Sequence, residues 1–300
     1  MSRIHEALKK AELERAASQP ATRSEPSPPD LLSVADPAAV IAGASVLAGV
    51  VPGPTPESMF ARSRRTNWNP DPRTMLFFGG DEHAPGMEEF RTLRSRLYQI
   101  RAKQPLSKIL VTSPLPREGK SFTSANLAQV MVRQHGKRAL IIDADLRNPQ
   151  QHVLLGAEPG PGLSDYLESK DDEFSIIQRG PMENLFLIPA GHKNQNPAEL
   201  VGNGRLKVLL DRLEPMFDWI IFDTPPAALV SDAGLLATYC DGVLMVVRSN
   251  TTPADAARKA RKEFADRNVI GVVLNGISPE LSPYSQYYYP AYQAETSAKN

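Results

Sequence analysis

The chain has 300 residues, of which 41% are apolar and 23% are charged, and its 34 basic side chains balance its 34 acidic ones. This composition is ordinary for a globular protein, and the zero net charge disfavours a uniformly basic nucleic-acid-binding protein. Proline is in excess, at 27 residues, so part of the chain is expected to lie outside a packed domain. The single cysteine, Cys240, fits a reducing compartment, and its apolar surroundings predict a buried small side chain.

The N-terminal quarter of the chain predicts a helix followed by a linker. Apolar residues at helical spacing indicate an amphipathic helix over residues 1–17, which is either a frayed end or a docking helix. Ten prolines fall between residues 18 and 73, so residues 18–74 are interpreted as a disordered, proline-rich linker. The N-terminus lacks the apolar core of a signal peptide, and the longest low-charge run, residues 38–51, is shorter than the about 20 residues of a membrane span.

The remainder of the chain alternates between strand-like and helix-like segments. Six apolar, mostly β-branched runs predict strands that are covered on both faces: residues 108–112, 139–142, 185–188, 219–222, 242–247 and 269–274. Helical patterns lie between several of them, at residues 122–135, 197–213 and 253–267. This order predicts one α/β domain over residues 75–280, with a mainly parallel sheet flanked by helices in three layers. Residues 281–300 are left as a flexible tail.

The first strand runs into Gly119-Lys120-Ser121 and then a helix, which is the second half of a phosphate-binding P-loop. Backbone N–H groups at the start of such a helix point at phosphate, Lys120 supplies a positive charge, and the Ser121 hydroxyl is a ligand for Mg²⁺. The match is incomplete, because the first glycine of the motif falls on Pro114.

Three carboxylates follow the ends of two further strands. Asp143 and Asp145 close the second strand, and Asp223 closes the fourth. Parallel strands bring their carboxyl ends to one edge of the sheet, so we expect these carboxylates beside the P-loop. A phosphate cradle, a hydroxyl ligand and carboxylates for a metal and a base are what Mg²⁺-nucleotide chemistry requires.

These motifs together resemble the bacterial tyrosine kinases of capsule and exopolysaccharide assembly, within the MinD/ParA-like group of P-loop NTPases, and most of all the cytoplasmic kinase subunits. The order of loop, Asp143-Ala144-Asp145-Leu146-Arg147 and Asp223-Thr224-Pro225-Pro226 is similar to that family's signature. Further matching segments extend the resemblance over residues 88–276, namely Gly162–Leu167, Pro189–Gly191, Asn196–Leu200 and Gly271–Gly276.

The resemblance implies an ATP- and Mg²⁺-dependent tyrosine autokinase with a role for each motif residue. Asp143 would be the base, and Lys120, Asp145 and Asp223 would complete the catalytic set. Mg²⁺ would be held by Ser121, Asp145 and Asp223. The nucleotide would be bound by Arg117, Glu118, Gly119, Lys120, Ser121, Phe122 and Asn275, the last near the adenine.

Two further features match an autokinase that acts on its own copies. Glu88, Arg91 and Arg94 are spaced by three on a predicted helix and are similar to the family's ring-forming motif. Without the resemblance, a solvated charged face is the simpler interpretation. Five of the eight tyrosines cluster in an uncharged stretch of the tail and are the predicted autophosphorylation sites: Tyr284, Tyr287, Tyr288, Tyr289 and Tyr292.

The implied partners are other copies of the chain in a ring, a membrane chain-length determinant that activates the kinase, and a cognate tyrosine phosphatase. No nucleic acid is expected. The chain is predicted to be cytoplasmic and recruited to the inner face of the plasma membrane by a partner, where it would regulate polysaccharide polymerisation or export.

Departures from the family pattern leave two alternatives open. Arg117 stands where members usually have glycine, and Phe122 where many have serine or threonine. A degenerate, non-catalytic nucleotide-binding regulator is therefore one alternative. The other is an ATPase switch of the partitioning or septum-placement type, although the signature lysine of those proteins falls on Leu115 here.

Overall fold

The computed structural model describes residues 61–79, 85–194 and 196–277. The predicted N-terminal helix (1–17) and the tyrosine-rich tail (281–300) lie outside the described residues. Within the described ranges, no helix combines the length and the apolar character needed to cross a membrane.

Eight strands of the described residues form one sheet. They are β1 (Arg64–Arg65), β2 (Lys108–Thr112), β3 (Ala139–Asp143), β4 (Gln178–Arg179), β5 (Leu185–Ile188), β6 (Trp219–Asp223), β7 (Gly242–Arg248) and β8 (Val269–Asn275). The spatial order is β1-β4-β5-β3-β6-β2-β7-β8, and every neighbouring pair is parallel except β4 and β5. The six longer strands agree with the six predicted ones to within a residue at each end, and the predicted mainly parallel α/β fold is confirmed.

Helices connect the strands and cover both faces of the sheet. They are α1 (Met87–Arg101), α2 (Lys120–Val132), α3 (Gln151–Leu155), α4 (Leu163–Leu167), α5 (Pro197–Val201), α6 (Arg205–Leu213), α7 (Asp232–Leu236) and α8 (Ala254–Lys262). The single helix predicted over residues 197–213 is two helices, because the chain turns at Gly204, whose φ of 82° ends regular helix geometry.

The continuous apolar strands are explained by a core on each face of the sheet. In β3, Leu140 and Ile142 point into one buried cluster, whereas Ala139 and Ile141 point into the other. Successive side chains of a strand alternate between faces, so a strand covered on both sides needs an apolar residue at every position.

The folded domain begins earlier than the sequence analysis predicted, since residues 61–74 were assigned to the linker. Arg64–Arg65 pairs with β4, and Trp68 is buried in the core formed with α1 and α2. Asn126 of α2 closes the contact: its carbonyl oxygen accepts from the N–H of Leu76 (2.9 Å) and its amide donates to the carbonyl of Thr74 (2.9 Å). The linker boundary at residue 74 is therefore wrong, because the proline-rich segment contributes an edge strand and an aromatic anchor that no periodic pattern reveals.

The strand order decides where a site can form. β2 lies between β6 and β7 near the middle of the sheet, and β3 lies on the other side of β6. The register pairs Asp143 with Asp223 and Val111 with Asp223. The loop that leaves β2 therefore meets the carboxyl ends of β3 and β6 at a single edge.

Candidate active site

The loop from β2 into α2 is shaped around Gly119. This residue precedes α2 with φ 96°, and a Cβ atom there would lie 2.0 Å from the amide nitrogen of Asn275. That amide donates to the backbone carbonyl of Glu118 at 2.9 Å. Glycine is therefore required at position 119, because the end of β8 closes directly onto the loop. The N–H groups of the first turn of α2, which have no partners within the helix, follow immediately.

Glu118 holds the loop through its side chain. The residue is only 3% exposed, and its carboxylate accepts from the N–H of Leu115 (2.8 Å) and from the hydroxyl of Thr252. The carboxylate is thus committed to loop geometry and the carbonyl to Asn275, which leaves the backbone N–H of Glu118 for the predicted nucleotide contact. Thr252 was not predicted, because it lies 134 residues away in an unremarkable turn after β7.

Lys120 lies among the side chains that were predicted to hold a metal ion. Its ammonium is 2.8 Å from Oδ2 of Asp145, 3.4 Å from Oδ1 of Asp223 and 3.2 Å from Oγ of Ser121. Burial alone would lower the pKa of Lys120, but the negative charges of Asp223 and Asp145 outweigh it and the pKa lies above its ordinary value. Lys120 therefore keeps its positive charge at the start of α2.

The three predicted carboxylates lie together at the edge of the sheet. Asp143, Asp145 and Asp223 are at most 2% exposed. Asp145 also accepts from the N–H of Asn148 at 3.0 Å. Arg147, the residue before Asn148, forms a bidentate ion pair with Asp232 at the start of α7. These contacts fix the turn that follows β3.

Asp143 is fully buried and is held by the backbone of the turn that follows β3. Its Oδ2 accepts from the backbone N–H groups of Gln150 (3.0 Å) and Gln151 (2.9 Å), whereas Oδ1 is buried and has no hydrogen-bond partner among the described residues. Burial, together with the nearby charge of Asp223, raises the pKa of Asp143 well above its usual value. A carboxylate whose pKa moves towards neutrality is better matched to general base catalysis at physiological pH.

Gln151 belongs to the site, although the sequence analysis did not select it. Its amide donates to Oδ2 of Asp223 at 2.9 Å and to the backbone carbonyl of Ser121 at 3.0 Å. A lone glutamine after a turn carries no motif, and its partner Asp223 is 72 residues away. Sequence spacing alone offered no signal for it.

The two departures from the family pattern have different structural consequences. Arg117 adopts φ 63°, in the left-handed region that favours glycine. The carbonyl of Arg117 accepts from the guanidinium of Arg248 at 3.2 Å. The half-buried ring of Phe122 packs against Phe90 of α1, with ring centroids 5.9 Å apart. A serine or threonine at position 122 would instead offer a hydroxyl.

The predicted ring-forming residues lie on α1, outside the carboxylate cluster. Glu88 and Arg91 form an ion pair within the helix, and Arg94 donates to the backbone carbonyl of Val130 at 3.0 Å. Cys240 is half-buried and packs against the core, where burial raises the pKa of its thiol. The five predicted phosphorylation sites lie outside the described residues.

The donor set at this edge fits a nucleotide-bound Mg²⁺ ion. Carboxylate and hydroxyl oxygens are the ligands that Mg²⁺ prefers, and two buried oxygens, Oδ1 of Asp143 and Oε1 of Gln151, lack hydrogen-bond partners among the described residues. Across the described ranges, no group of three or more His, Cys, Asp or Glu side chains is arranged to hold a metal ion unaided. Mg²⁺ usually takes only one or two carboxylates together with substrate phosphates. The donor set can therefore fit a nucleotide-bound ion although the described side chains do not form a complete metal site by themselves.

Comparison with known proteins finds one domain family and several tyrosine-protein kinases that are similar to this chain. A family model described as an AAA domain matches residues 118–255. The tyrosine-protein kinase YwqD of Bacillus subtilis (strain 168) is 35% identical over 204 residues, which are 67% of this chain and 85% of YwqD. The tyrosine-protein kinase Wzc of Salmonella typhimurium (strain LT2) is 33% identical over 230 residues, or 76% of this chain but only 32% of Wzc.

The solved structures agree with the sequence relatives. The crystal structure of the chimerical protein CapA2B2 superposes with a TM-score of 0.64 and 28% identity, covering 73% of this chain and 98% of that one. The P-loop, the two carboxylate-bearing strand ends and these relatives lead to one conclusion: the chain belongs to the bacterial tyrosine-protein kinases, P-loop enzymes of capsule and exopolysaccharide systems.

Proposed function

We propose that this tyrosine kinase transfers phosphate from ATP to the C-terminal tyrosine cluster of a second copy of the chain, and so regulates the polymerisation or export of a polysaccharide. The observation that carries the proposal is the convergence of Lys120, Asp143, Asp145 and Asp223 beside the start of α2. The cluster combines a positive charge for phosphate, oxygen ligands for a cation and a buried carboxylate for the tyrosine proton.

Nucleotide binding follows from the elements at this edge. The N–H groups of the first turn of α2 would receive the phosphates, and Lys120 would turn from Asp145 towards the β- and γ-oxygens. Ser121, Asp145 and Asp223 would hold Mg²⁺ with the nucleotide. When bound, Mg²⁺ neutralises the phosphate charge and aligns the transferred group. The P-loop fold of the family supports ATP as the nucleotide.

Asp143 is suited to accept the proton of the tyrosine hydroxyl. The phenol has a pKa of about 10 in water, so a positioned base assists its attack on phosphate. The backbone N–H groups that bind Oδ2 fix the carboxylate and leave Oδ1 as the accepting atom. Most of the rate enhancement would still come from alignment and charge neutralisation.

The substrate segment is inferred from the sequence. Tyr284, Tyr287, Tyr288, Tyr289 and Tyr292 lie in a stretch with prolines and no charge, and they follow β8 closely in the chain. Phosphorylation between copies requires assembly, for which Glu88, Arg91 and Arg94 on α1 are the candidate residues.

A membrane partner is part of the proposal. In Wzc, the region similar to this chain is only 32% of the protein and is joined to further sequence. The similar solved structure, CapA2B2, is described as a chimerical protein. This supports a kinase that works with a second polypeptide, which we propose to be a chain-length determinant that recruits it to the inner face of the plasma membrane. A cognate tyrosine phosphatase would reverse the modification.

Phosphotyrosine mapping tests the proposal. Purified protein incubated with ATP and Mg²⁺ is expected to carry phosphotyrosine between Tyr284 and Tyr292 by mass spectrometry, and Lys120→Met is expected to lose it because the phosphates lose their charge partner. Lys207→Met is the matched control, since that lysine is exposed and pairs with Asp211 on the same helix. Sustained phosphorylation by Lys120→Met alone would refute the site assignment.

A further inference from the structure

Gln151 connects three parts of the site through one residue. It is the first residue of α3 and has no exposed surface. Its side-chain nitrogen lies 2.9 Å from Oδ2 of Asp223 and 3.0 Å from the carbonyl oxygen of Ser121, and its backbone N–H lies 2.9 Å from Oδ2 of Asp143. The end of β6, the first turn of α2 and the end of β3 are therefore joined by hydrogen bonds to a single glutamine.

A neutral amide suits the position beside Asp223. The Oδ1 atom of this carboxylate faces Lys120, while Oδ2 is held by Gln151. A buried carboxylate oxygen without a donor is costly, so the amide fixes the rotation of the Asp223 side chain. A lysine or arginine in place of Gln151 would neutralise Asp223 and weaken its attraction for a cation, whereas an amide orients the carboxylate and leaves its charge intact.

The side-chain amide of Gln151 also joins Asp223 to Ser121. Ser121 and Asp223 are both proposed Mg²⁺ ligands, one on the first turn of α2 and the other at the end of β6. Gln151 donates to one residue and to the other with the same nitrogen, so it fixes the separation between the two elements that carry them. Partners of ligand side chains commonly set ligand orientation in this way.

The side-chain oxygen of Gln151, Oε1, is available to accept a hydrogen bond. Its Oε1 atom is buried and has no hydrogen-bond partner among the described residues, and the same holds for Oδ1 of Asp143. Buried polar atoms are normally satisfied, so these two oxygens require a donor such as water or a group of the bound ligand. Water bound to a cation or a tyrosine hydroxyl provides such a donor.

We infer that Gln151 is a positioning residue of this kinase, whose side-chain amide orients Asp223 and ties it to the first turn of α2 for metal–nucleotide binding. The inference rests on the proposed role of Asp223 as a Mg²⁺ ligand. It assigns to Gln151 no direct part in phosphate transfer. A purely structural glutamine would affect folding stability and leave metal affinity unchanged, which separates the two roles.

The test measures metal binding in the absence of turnover. Mn²⁺ is titrated into the full chain with a non-hydrolysable ATP analogue, and bound metal is followed by electron paramagnetic resonance. Gln151→Met keeps the length of the side chain and removes the amide, and it is expected to weaken Mn²⁺ binding by about 10- to 100-fold. Affinity for the analogue without metal is expected to change much less.

Gln129→Met is the matched control. Gln129 is also fully buried, and it bonds to the N–H of Phe77 and the carbonyl of Ala125, far along α2 from the carboxylates. This variant is expected to lower thermal stability and to keep wild-type Mn²⁺ affinity. Should Gln151→Met fail to fold, Gln151→Asn retains a neutral amide that is one methylene shorter, and a loss of affinity in the same direction is expected.

Equal Mn²⁺ affinity in wild type and in the folded Gln151 variant would overturn the inference and leave the proposed function standing. Absence of Mn²⁺ binding by the wild-type complex would overturn the proposed function, and the inference with it.

Discussion

Arg117 shows how a residue with a Cβ atom can occupy a loop position where the family pattern has glycine. Its φ of 63° lies in the left-handed region, where a residue with a Cβ atom is strained by about 1 kcal/mol. The strain is accepted because neighbouring contacts define the loop: Arg248 binds the carbonyl of Arg117, and Asn275 binds that of Glu118. The backbone expected for glycine is therefore present with arginine, which argues against loss of nucleotide binding at this position.

Replacing Arg117 by glycine tests this argument. Arg117→Gly is expected to raise the free energy of unfolding by at most about 1 kcal/mol and to change affinity for an ATP analogue by less than about tenfold, because the loop is already formed. Equilibrium binding of a fluorescent analogue and urea unfolding measure the two effects. Arg117→Ala is the control that removes the guanidinium and keeps the strain. Binding that appears only after glycine is restored would instead favour the non-catalytic regulator.

At the scale of elements, hydrogen bonds also join the starts of β2 and β7, at the end of the sheet opposite the site. Asp241, just before β7, accepts from the N–H groups of Ser107 and Lys108 at 2.8 Å each and from the hydroxyl of Ser107 at 2.9 Å. These bonds join the start of β2 to the start of β7. They fix the strand from which the P-loop leaves the sheet.

The Asp241 contact predicts a pH-dependent stability. Burial alone would raise the pKa of Asp241, but hydrogen bonds from the backbone of Lys108 and Ser107 lower it below its ordinary value. A lowered carboxyl pKa stabilises the fold above the unfolded pKa of about 4, and this contribution is lost as pH falls through the folded pKa. Asp241→Asn is therefore expected to cost about 2 kcal/mol at pH 7 and progressively less below about pH 4.

Urea unfolding at about pH 7 and about pH 3 measures this difference. Asp255→Asn, at an exposed position in the first turn of α8, is the control, and its effect on stability is expected to stay below about 1 kcal/mol at both pH values. An Asp241→Asn penalty of the same size at both pH values would contradict the assigned role of the charge.

The molecule as a whole shows which parts of the fold follow from local sequence. The six long strands were predicted because each is a short apolar run between turn residues, and the P-loop and Asp143, Asp145 and Asp223 were found because strand ends of a parallel sheet share an edge. The folded structure of residues 61–74 was not predicted. Strand β1 pairs with a strand more than 100 residues away, and Trp68 is buried without belonging to a helical or strand-like apolar pattern. Gln151 and Thr252 were missed for the same reason, since their partners are distant in sequence.

At the scale of the whole molecule, we expect one copy of the kinase to phosphorylate the C-terminal tail of another copy. The Lys120→Met chain with its own tail is mixed with an active chain whose tail tyrosines, Tyr284, Tyr287, Tyr288, Tyr289 and Tyr292, are replaced by phenylalanine. After incubation with ATP and Mg²⁺, mass spectrometry assigns phosphotyrosine to each chain by its tail peptide. The account predicts phosphotyrosine on the tail of the Lys120→Met chain. An unmodified Lys120→Met tail in this mixture would contradict it, provided that wild-type protein incubated separately becomes phosphorylated.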